Sequence, residues 1–239
     1  MKLFIGCSGW NYRDWKGKFY PEDLARKNWL EHYMSIFNTV EVNATFYRLP
    51  KDSTLEKWKR SAYRKDFNFT LKGSRYITHM KKLTEPQENI EKFESAAEVM
   101  KTKLGCVLWQ LPPSLHRDDE KLRSFCKALK KSNKNVIEFR HESWFTDEVY
   151  DLLDEHKISF CSISTPKFPE EMIVTGKVAY VRMHGKGKKW YDYDYSESEL
   201  KSWKKKIENC GAEEVYVYFN NDTAANAPEN ARYLMEMFA

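Results

Sequence analysis

No stretch of the 239-residue sequence is long and apolar enough to cross a bilayer as a helix. Cysteine is sparse and unpatterned. The five (Cys7, Cys106, Cys126, Cys161, Cys210) are odd in number, widely spaced and never in a C-x-x-C pair, which indicates neither a disulfide framework nor a zinc knuckle. The opening residues 1–7 carry one positive charge and a four-residue apolar run, too short for the hydrophobic region of a secretory leader, so a reducing, cytoplasmic location is expected. Equally missing are a G-x-G-x-x-G turn, an H-x-H or H-E-x-x-H pattern and any Asp-rich cluster. Residues 185–189 place two glycines among lysines but lack the spacing and the Gly-Lys-Ser/Thr ending of a phosphate-binding Walker loop. No internal repeat, low-complexity tract or Pro/Gly/Ser linker divides the chain, and one domain over residues 1–239 is expected.

What is present describes an ordinary globular protein. Hydrophobic residues make up 41% of the chain and charged ones 31%, enough apolar surface for a sizeable core and too much for disorder. The net charge of +5 comes from 40 Lys+Arg against 35 Asp+Glu, with basic clusters at 127–134, 186–189 and 201–206. Solvated helix faces account for most such lysines, and a balance this modest permits a polyanionic partner without requiring one.

Eight short β-type runs recur, at 3–8, 39–43, 67–72, 106–111, 136–140, 158–163, 178–184 and 215–220. Helical patterns lie between them: Asp52 is placed to cap 53–63, further helices are expected at 88–100, 118–131 and 146–156, Ser196-x-x-Glu199 reads as a capping box, and a last helix is expected after Pro228. Alternation of strand and helix implies parallel strands, because each return to the same edge needs a crossover. Eight such units predict an α/β fold of the single-domain (β/α)8 TIM-barrel type.

Strand parity then sorts the side chains. Successive residues of a strand point to opposite faces, and in each run one set is apolar throughout, as required beneath a helix layer. The other set turns polar toward the carboxyl end of the strand, the end at which barrels of this type carry their sites. Glu41, Asn43, Lys72, Gln110, Glu138, Arg140, Arg182, His184, Tyr218 and Asn220 are thereby directed toward one mouth. The cations Lys72, Arg140 and Arg182 outnumber the carboxylates Glu41 and Glu138, and Arg75 and His79 follow closely behind the third strand. Unpaired charge in a low-dielectric cavity is costly, so the surplus points to solvent or to an anionic ligand. Cys7 has the opposite parity and faces the helices, which argues against a nucleophilic role.

Several segments resemble the YecE-like family, domain of unknown function number 72. They include Gly6-Cys7-Ser8-Gly9-Trp10-x-Tyr12-x-x-Trp15, Val40-Glu41-Val42-Asn43-x-Thr45-Phe46-Tyr47-Arg48-Leu49-Pro50, Lys72-x-Ser74-Arg75-Tyr76-Ile77-Thr78-His79, Gln110-Leu111-Pro112-Pro113-Ser114, Glu138-Phe139-Arg140-His141-x-Ser143-Trp144-Phe145, Val181-Arg182-x-His184-Gly185 and Tyr218-Phe219-Asn220-Asn221-Asp222. The resemblance runs from the first strand to the last and implies a β/α barrel similar to those of sugar isomerases and of endonuclease IV-type repair enzymes. By that analogy alone, nucleic acids and sugar phosphates enter as candidate ligands.

Three site chemistries follow. A divalent metal among Glu41, Glu138, His184, His79, His141 and Asp222 is disfavoured, since Lys72, Arg140 and Arg182 share the mouth and repel it; no cofactor is expected. An anion clamp of Arg75, Arg140, Arg182 and Lys72 fits better, with Asn43, His79, His141, Tyr218 and Asn220 as further contacts. General acid–base work falls to Glu138 or Glu41 as base and His184 or Tyr218 as acid. Aromatic residues follow strands one and seven; Trp10, Trp144 and Trp190 are expected to contact ligand, and residues 186–189 to form a basic flap. The leading expectation is a hydrolase or isomerase acting on a phosphate-bearing substrate such as a nucleotide or nucleic acid. A non-catalytic nucleic-acid binder and an enzyme for a small sugar acid or other carboxylate are the alternatives; a membrane partner is not expected.

Overall fold

The computed structural model describes residues 1–189 and 191–239, and the expectation placed on Trp190 lies outside them. Strands β1 (Lys2–Cys7), β2 (Thr39–Val42), β3 (Asn68–Lys72), β4 (Leu104–Gln110), β5 (Asn135–Glu138), β6 (Ser159–Ser164), β7 (Ala179–Met183) and β8 (Glu214–Phe219) are all parallel. From β2 to β8 each strand pairs with its sequence neighbours, and β1 pairs with β8, giving the order β1-β8-β7-β6-β5-β4-β3-β2. Helices α1 (Trp29–Ile36), α2 (Ala44–Tyr47), α3 (Asp52–Ser61), α4 (Gln87–Ala97), α5 (Asp119–Ala128), α6 (Asp147–Glu155), α7 (Glu197–Glu208) and α8 (Asn226–Glu236) lie between or after them. This is the (β/α)8 barrel, and among the described residues no helix is long and apolar enough to cross a membrane.

The cylinder closes between β1 and β2 by side chains as much as by backbone. Asn38 Oδ1 accepts from Ile5 N–H at 3.0 Å while its Nδ2 donates to the Leu3 carbonyl at 2.8 Å. Tyr33 hydroxyl accepts from Cys7 N–H at 2.6 Å and donates to the Thr39 carbonyl at 3.0 Å. One backbone bridge, Ser8 to Glu41, completes the seam. Gly6 makes the approach possible: a Cβ there would lie 2.1 Å from the Thr39 carbonyl oxygen and 2.6 Å from Tyr33 hydroxyl.

Parity holds as the sequence implies. The residues facing the helices form one continuous core that includes Cys7, Val40, Phe69, Trp109, Phe139, Val181 and Phe219. A second, smaller core fills the barrel, with Cys106, Leu108, Val136, Ile163, Tyr180 and Tyr216. The helices bury one stripe each, such as Leu122, Phe125 and Cys126 on α5 or Val149, Leu152 and Leu153 on α6. The capping box of Ser196 and Glu199 forms at the start of α7, and Asp118 caps α5 through Lys121 N–H. Two boundaries differ from expectation. Asp52 is the first residue of α3, after Lys51, and makes no cap bond. The last helix begins at Asn226, ahead of Pro228, because a proline in the first turn withholds an N–H that has no intrahelical partner anyway.

Candidate functional site

At the carboxyl end of the strands, inward parity brings Glu41, Glu138, Arg182 and His184 together, all fully buried. Arg182 is the centre. Its Nε and one terminal nitrogen hold both oxygens of Glu41, at 3.1 and 2.6 Å, and its other terminal nitrogen reaches Glu138 Oε2 at 2.7 Å. Glu41 also accepts from Ser8 Oγ and Tyr180 hydroxyl, each at 2.6 Å. Glu138 is bound by Arg140 Nε and by Gln110 Nε2 at 3.1 Å, with His184 Nε2 at 3.2 Å. Burial opposes the charge on Glu138, but Arg140 and Arg182 outweigh it and hold the carboxyl well below its ordinary range. Burial likewise opposes the charge of Arg182, and Glu138 with Glu41 raises it well above the ordinary value. Both carboxylates therefore have their lone pairs engaged, an arrangement that fixes the two guanidinium groups.

His184 is kept neutral. Burial, Arg140 and Arg182 together lower it to about 3, and its Nδ1 faces Asn220 Nδ2 at 3.1 Å. The surplus cation foreseen from the sequence resides on Lys72. Its side chain is buried, its Nζ sits 4.4 Å from the centre of the Phe46 ring, and no hydrogen bond or ion pair is made by its ammonium among the described residues. Burial, then the charge of Arg182, lowers Lys72 to about 8. With His184 neutral, the buried group holds Lys72, Arg140 and Arg182 against two carboxylates.

Two cavities open above this floor and share Tyr191. One, of about 310 Å³, is lined by Tyr12, Asn43, Tyr47, Lys72, Asn220 and Asp222 besides. The other, of about 360 Å³, has His79, Gln110, Pro113, Arg140, Lys167 and Phe168 in its wall. Asn43 donates to the Ser8 carbonyl at 3.1 Å, and its buried Oδ1 has no hydrogen-bond partner among the described residues. Burial raises the carboxyl of Asp222 above its ordinary value. His79 occupies a π-helical turn (Tyr76–Met80), edge-on to Phe46, and is lowered to about 4 by burial and then by Lys72 and Arg140.

Several expected contacts lie elsewhere. Tyr218 faces inward but sits deep in the barrel, its hydroxyl 2.6 Å from Thr39 Oγ1 and 2.7 Å from Thr70 Oγ1, fully buried. Trp144 turns under the helix layer, stacked on Phe139 with its Nε1 donating to the Leu115 carbonyl at 2.7 Å, so it cannot reach a ligand at the mouth. Arg75 is exposed on the rim with its guanidinium over Tyr47, and His141 stacks on His116 at 3.8 Å while binding Ser143. Trp10 packs edge-on to Trp58 and lines two grooves, one with Arg26, Lys27 and Lys57 and one with Tyr12 and Asn43, which also wall the mouth. In the segment expected to form a basic flap, Lys186 is paired with Glu170 at 2.7 Å and Glu199 at 3.3 Å. The Gly185 N–H donates to Tyr195 hydroxyl at 2.8 Å. Ser8, Tyr180, Tyr12 and Tyr191 were not among the expected site residues, and Asp222 was weighed only as a metal ligand; Tyr180, two residues before Arg182 on an inward face, carried a parity signal in the sequence. Among the described residues no cluster of three or more His, Cys, Asp or Glu is disposed to hold a metal ion.

Comparison with known proteins places this geometry. A family model described as "Protein of unknown function DUF72" matches residues 4–239. The chain is 28% identical to UPF0759 protein YunF of Bacillus subtilis, over 98% of this chain and 94% of that protein. It superimposes on the crystal structure of a DUF72 family protein from Thermotoga maritima with a TM-score of 0.91 and 32% identity, covering 100% of this chain and 99% of that one. D-psicose 3-epimerase from Clostridium cellulolyticum shares the fold alone, with a TM-score of 0.61 and 11% identity over 99% of this chain and 98% of the epimerase.

Proposed function

The chain belongs to the DUF72 family, and from that premise we propose that its barrel mouth binds a small molecule bearing a phosphate or carboxylate and acts on it as an enzyme. The carrying observation is the buried cation Lys72, whose ammonium makes no ion pair among the described residues, while Glu41 and Glu138, which act on it from a distance, have their oxygens engaged by other donors. An anion supplied by a ligand is the charge that this group lacks. Cavities of about 310 and 360 Å³ suit a small molecule better than a strand of nucleic acid, for which an open groove is needed. Arg140 and Lys167 in the second cavity supply further anion donors, one buried and one exposed. The reaction falls in the isomerase or hydrolase classes, and Lys72 is the group at this mouth whose proton is exchangeable nearest neutral pH.

The test is calorimetric titration of the protein with inorganic phosphate and with a short single-stranded oligonucleotide. Phosphate is expected to bind, and Lys72→Met to weaken it by roughly tenfold or more, about 1.4 kcal/mol. Absence of phosphate binding, together with oligonucleotide binding that falls steeply with salt, would replace this reading by a nucleic-acid one.

A further inference from the structure

Resting on the anion-binding reading above, the geometry around Lys72 carries the assignment further, to a reaction. Lys72 closes β3 and points into the barrel, where its side chain is withdrawn from water and its Nζ lies against the face of Phe46 at 4.4 Å. Surface lysines of this chain are drawn to carboxylates, as Lys201 is to Glu197 at 2.6 Å; Lys72 has no such anchor among the described residues. It opens instead on the 310 Å³ cavity, in company with Asp222, Asn43 and Asn220. Asn43 Oδ1 is a buried acceptor with no partner among the described residues, and Asp222 is a carboxyl whose proton burial makes harder to lose. A buried amine whose ammonium makes no contact ion pair among the described residues, a carboxyl and an open acceptor around one small cavity are the parts an amine–carbonyl condensation uses.

We propose that Lys72 is a nucleophile that condenses with the carbonyl carbon of a small aldehyde or ketone carrying a phosphate or carboxylate, forming an imine on Nζ. The lone pair of the neutral amine adds to the carbonyl carbon, the π pair moves to oxygen, and a proton passes from nitrogen to that oxygen to give a carbinolamine. The carbon–oxygen bond then breaks as the nitrogen lone pair forms the C=N bond, and the hydroxyl leaves as water with a proton from Asp222, which solvent restores. One amine, one carbonyl and one proton become one iminium and one water, with no oxidant or reductant involved. Asn43 Oδ1 accepts a hydroxyl of the substrate. Arg140, in the adjoining cavity across Tyr191, is placed for the anionic end. The low affinity of Lys72 for its proton, about 8 against 10.5 for an ordinary lysine, gives it roughly 300-fold more neutral amine at pH 7 than a surface lysine.

The experiment incubates the wild-type protein with dihydroxyacetone phosphate, or separately with pyruvate, quenches with borohydride, and maps the reduced adduct by intact mass and peptide mass spectrometry. One equivalent on Lys72, saturable and suppressed by excess inorganic phosphate, is the expected result. Lys72→Arg is expected to keep phosphate binding and lose the adduct. No adduct with either probe, or label scattered over surface lysines, overturns the proposal. Phosphate binding is measured on the same samples: binding without adduct overturns the nucleophile and leaves the anion site standing, and loss of both overturns both. Because the map is made on the wild-type chain, the outcome does not depend on any variant folding.

Discussion

Arg182 divides its guanidinium between two carboxylates on opposite sides of the barrel, taking Glu41 with two nitrogens and Glu138 with the third. Removing it leaves both anions buried, 0% exposed, with Glu41 losing its ion-pair partner among the described residues. Arg182→Met is expected to destabilise the protein by about 3–5 kcal/mol, the range for breaking a buried pair from one side. Denaturant unfolding measures it; a loss below about 1 kcal/mol would mean that the pair is not the structural centre of the mouth.

Tyr218 offers the contrasting case. Its hydroxyl serves Thr39 and Thr70 inside the barrel. Tyr218→Phe is therefore expected to lower stability by about 1–3 kcal/mol, the cost of stranding buried polar groups, with phosphate affinity unchanged. A variant of normal stability and weakened binding would put Tyr218 back at the mouth.

Lys72→Met should do the reverse. A lysine whose folded pKa lies below its unfolded value pays for its charge at every pH below about 8, and that penalty fades as pH rises from about 8 to 10.5. At pH 7 the substitution is expected to stabilise the protein by roughly 1–3 kcal/mol while it removes ligand binding, a gain that vanishes when unfolding is repeated near pH 10.5.

The pH dependence of His184 has a defined sign. Its folded pKa of about 3 lies below the ordinary 6.5, so between those values the unfolded chain binds the extra proton and stability falls as pH falls. The loss attributable to His184 between pH 6.5 and 5 is roughly 1.5 kcal/mol. Glu138, also depressed, adds to the fall below its ordinary value of 4.5. His184→Asn should flatten the upper part of this curve in a series of unfolding measurements; an unchanged slope between pH 6.5 and 5 refutes it.

Strand parity was enough to read the barrel and to name the inward residues, because a period of two fixes the side of every strand residue. It does not fix where a side chain goes after entering. Arg182 and Tyr218 are register partners on adjacent strands, yet one binds Glu41 and Glu138 and the other crosses to Thr39 and Thr70. Counting charges correctly left one cation over, but which one depends on guanidinium geometry: the arginines have forks that span carboxylates, and Lys72 does not. Loop residues carry no parity at all, so Trp144 and His141, three positions apart, went to different surroundings without any mark in the sequence.

The junction of β1 with β2 gives the barrel a preferred line of parting. Among the described residues seven of its joints are backbone ladders, and the eighth has a single backbone bridge and otherwise leans on one amide and one phenol. Rotating Asn38 or Tyr33 away unfastens two staves without disturbing the other hoops, so the amides of Ile5 and Cys7 should trade their hydrogens for deuterium sooner than those in the middle of β7. Replacing Gly6 with alanine would force that slit ajar permanently, at a cost of about 3 kcal/mol or more. The cylinder then behaves as a rolled sheet with a clasp.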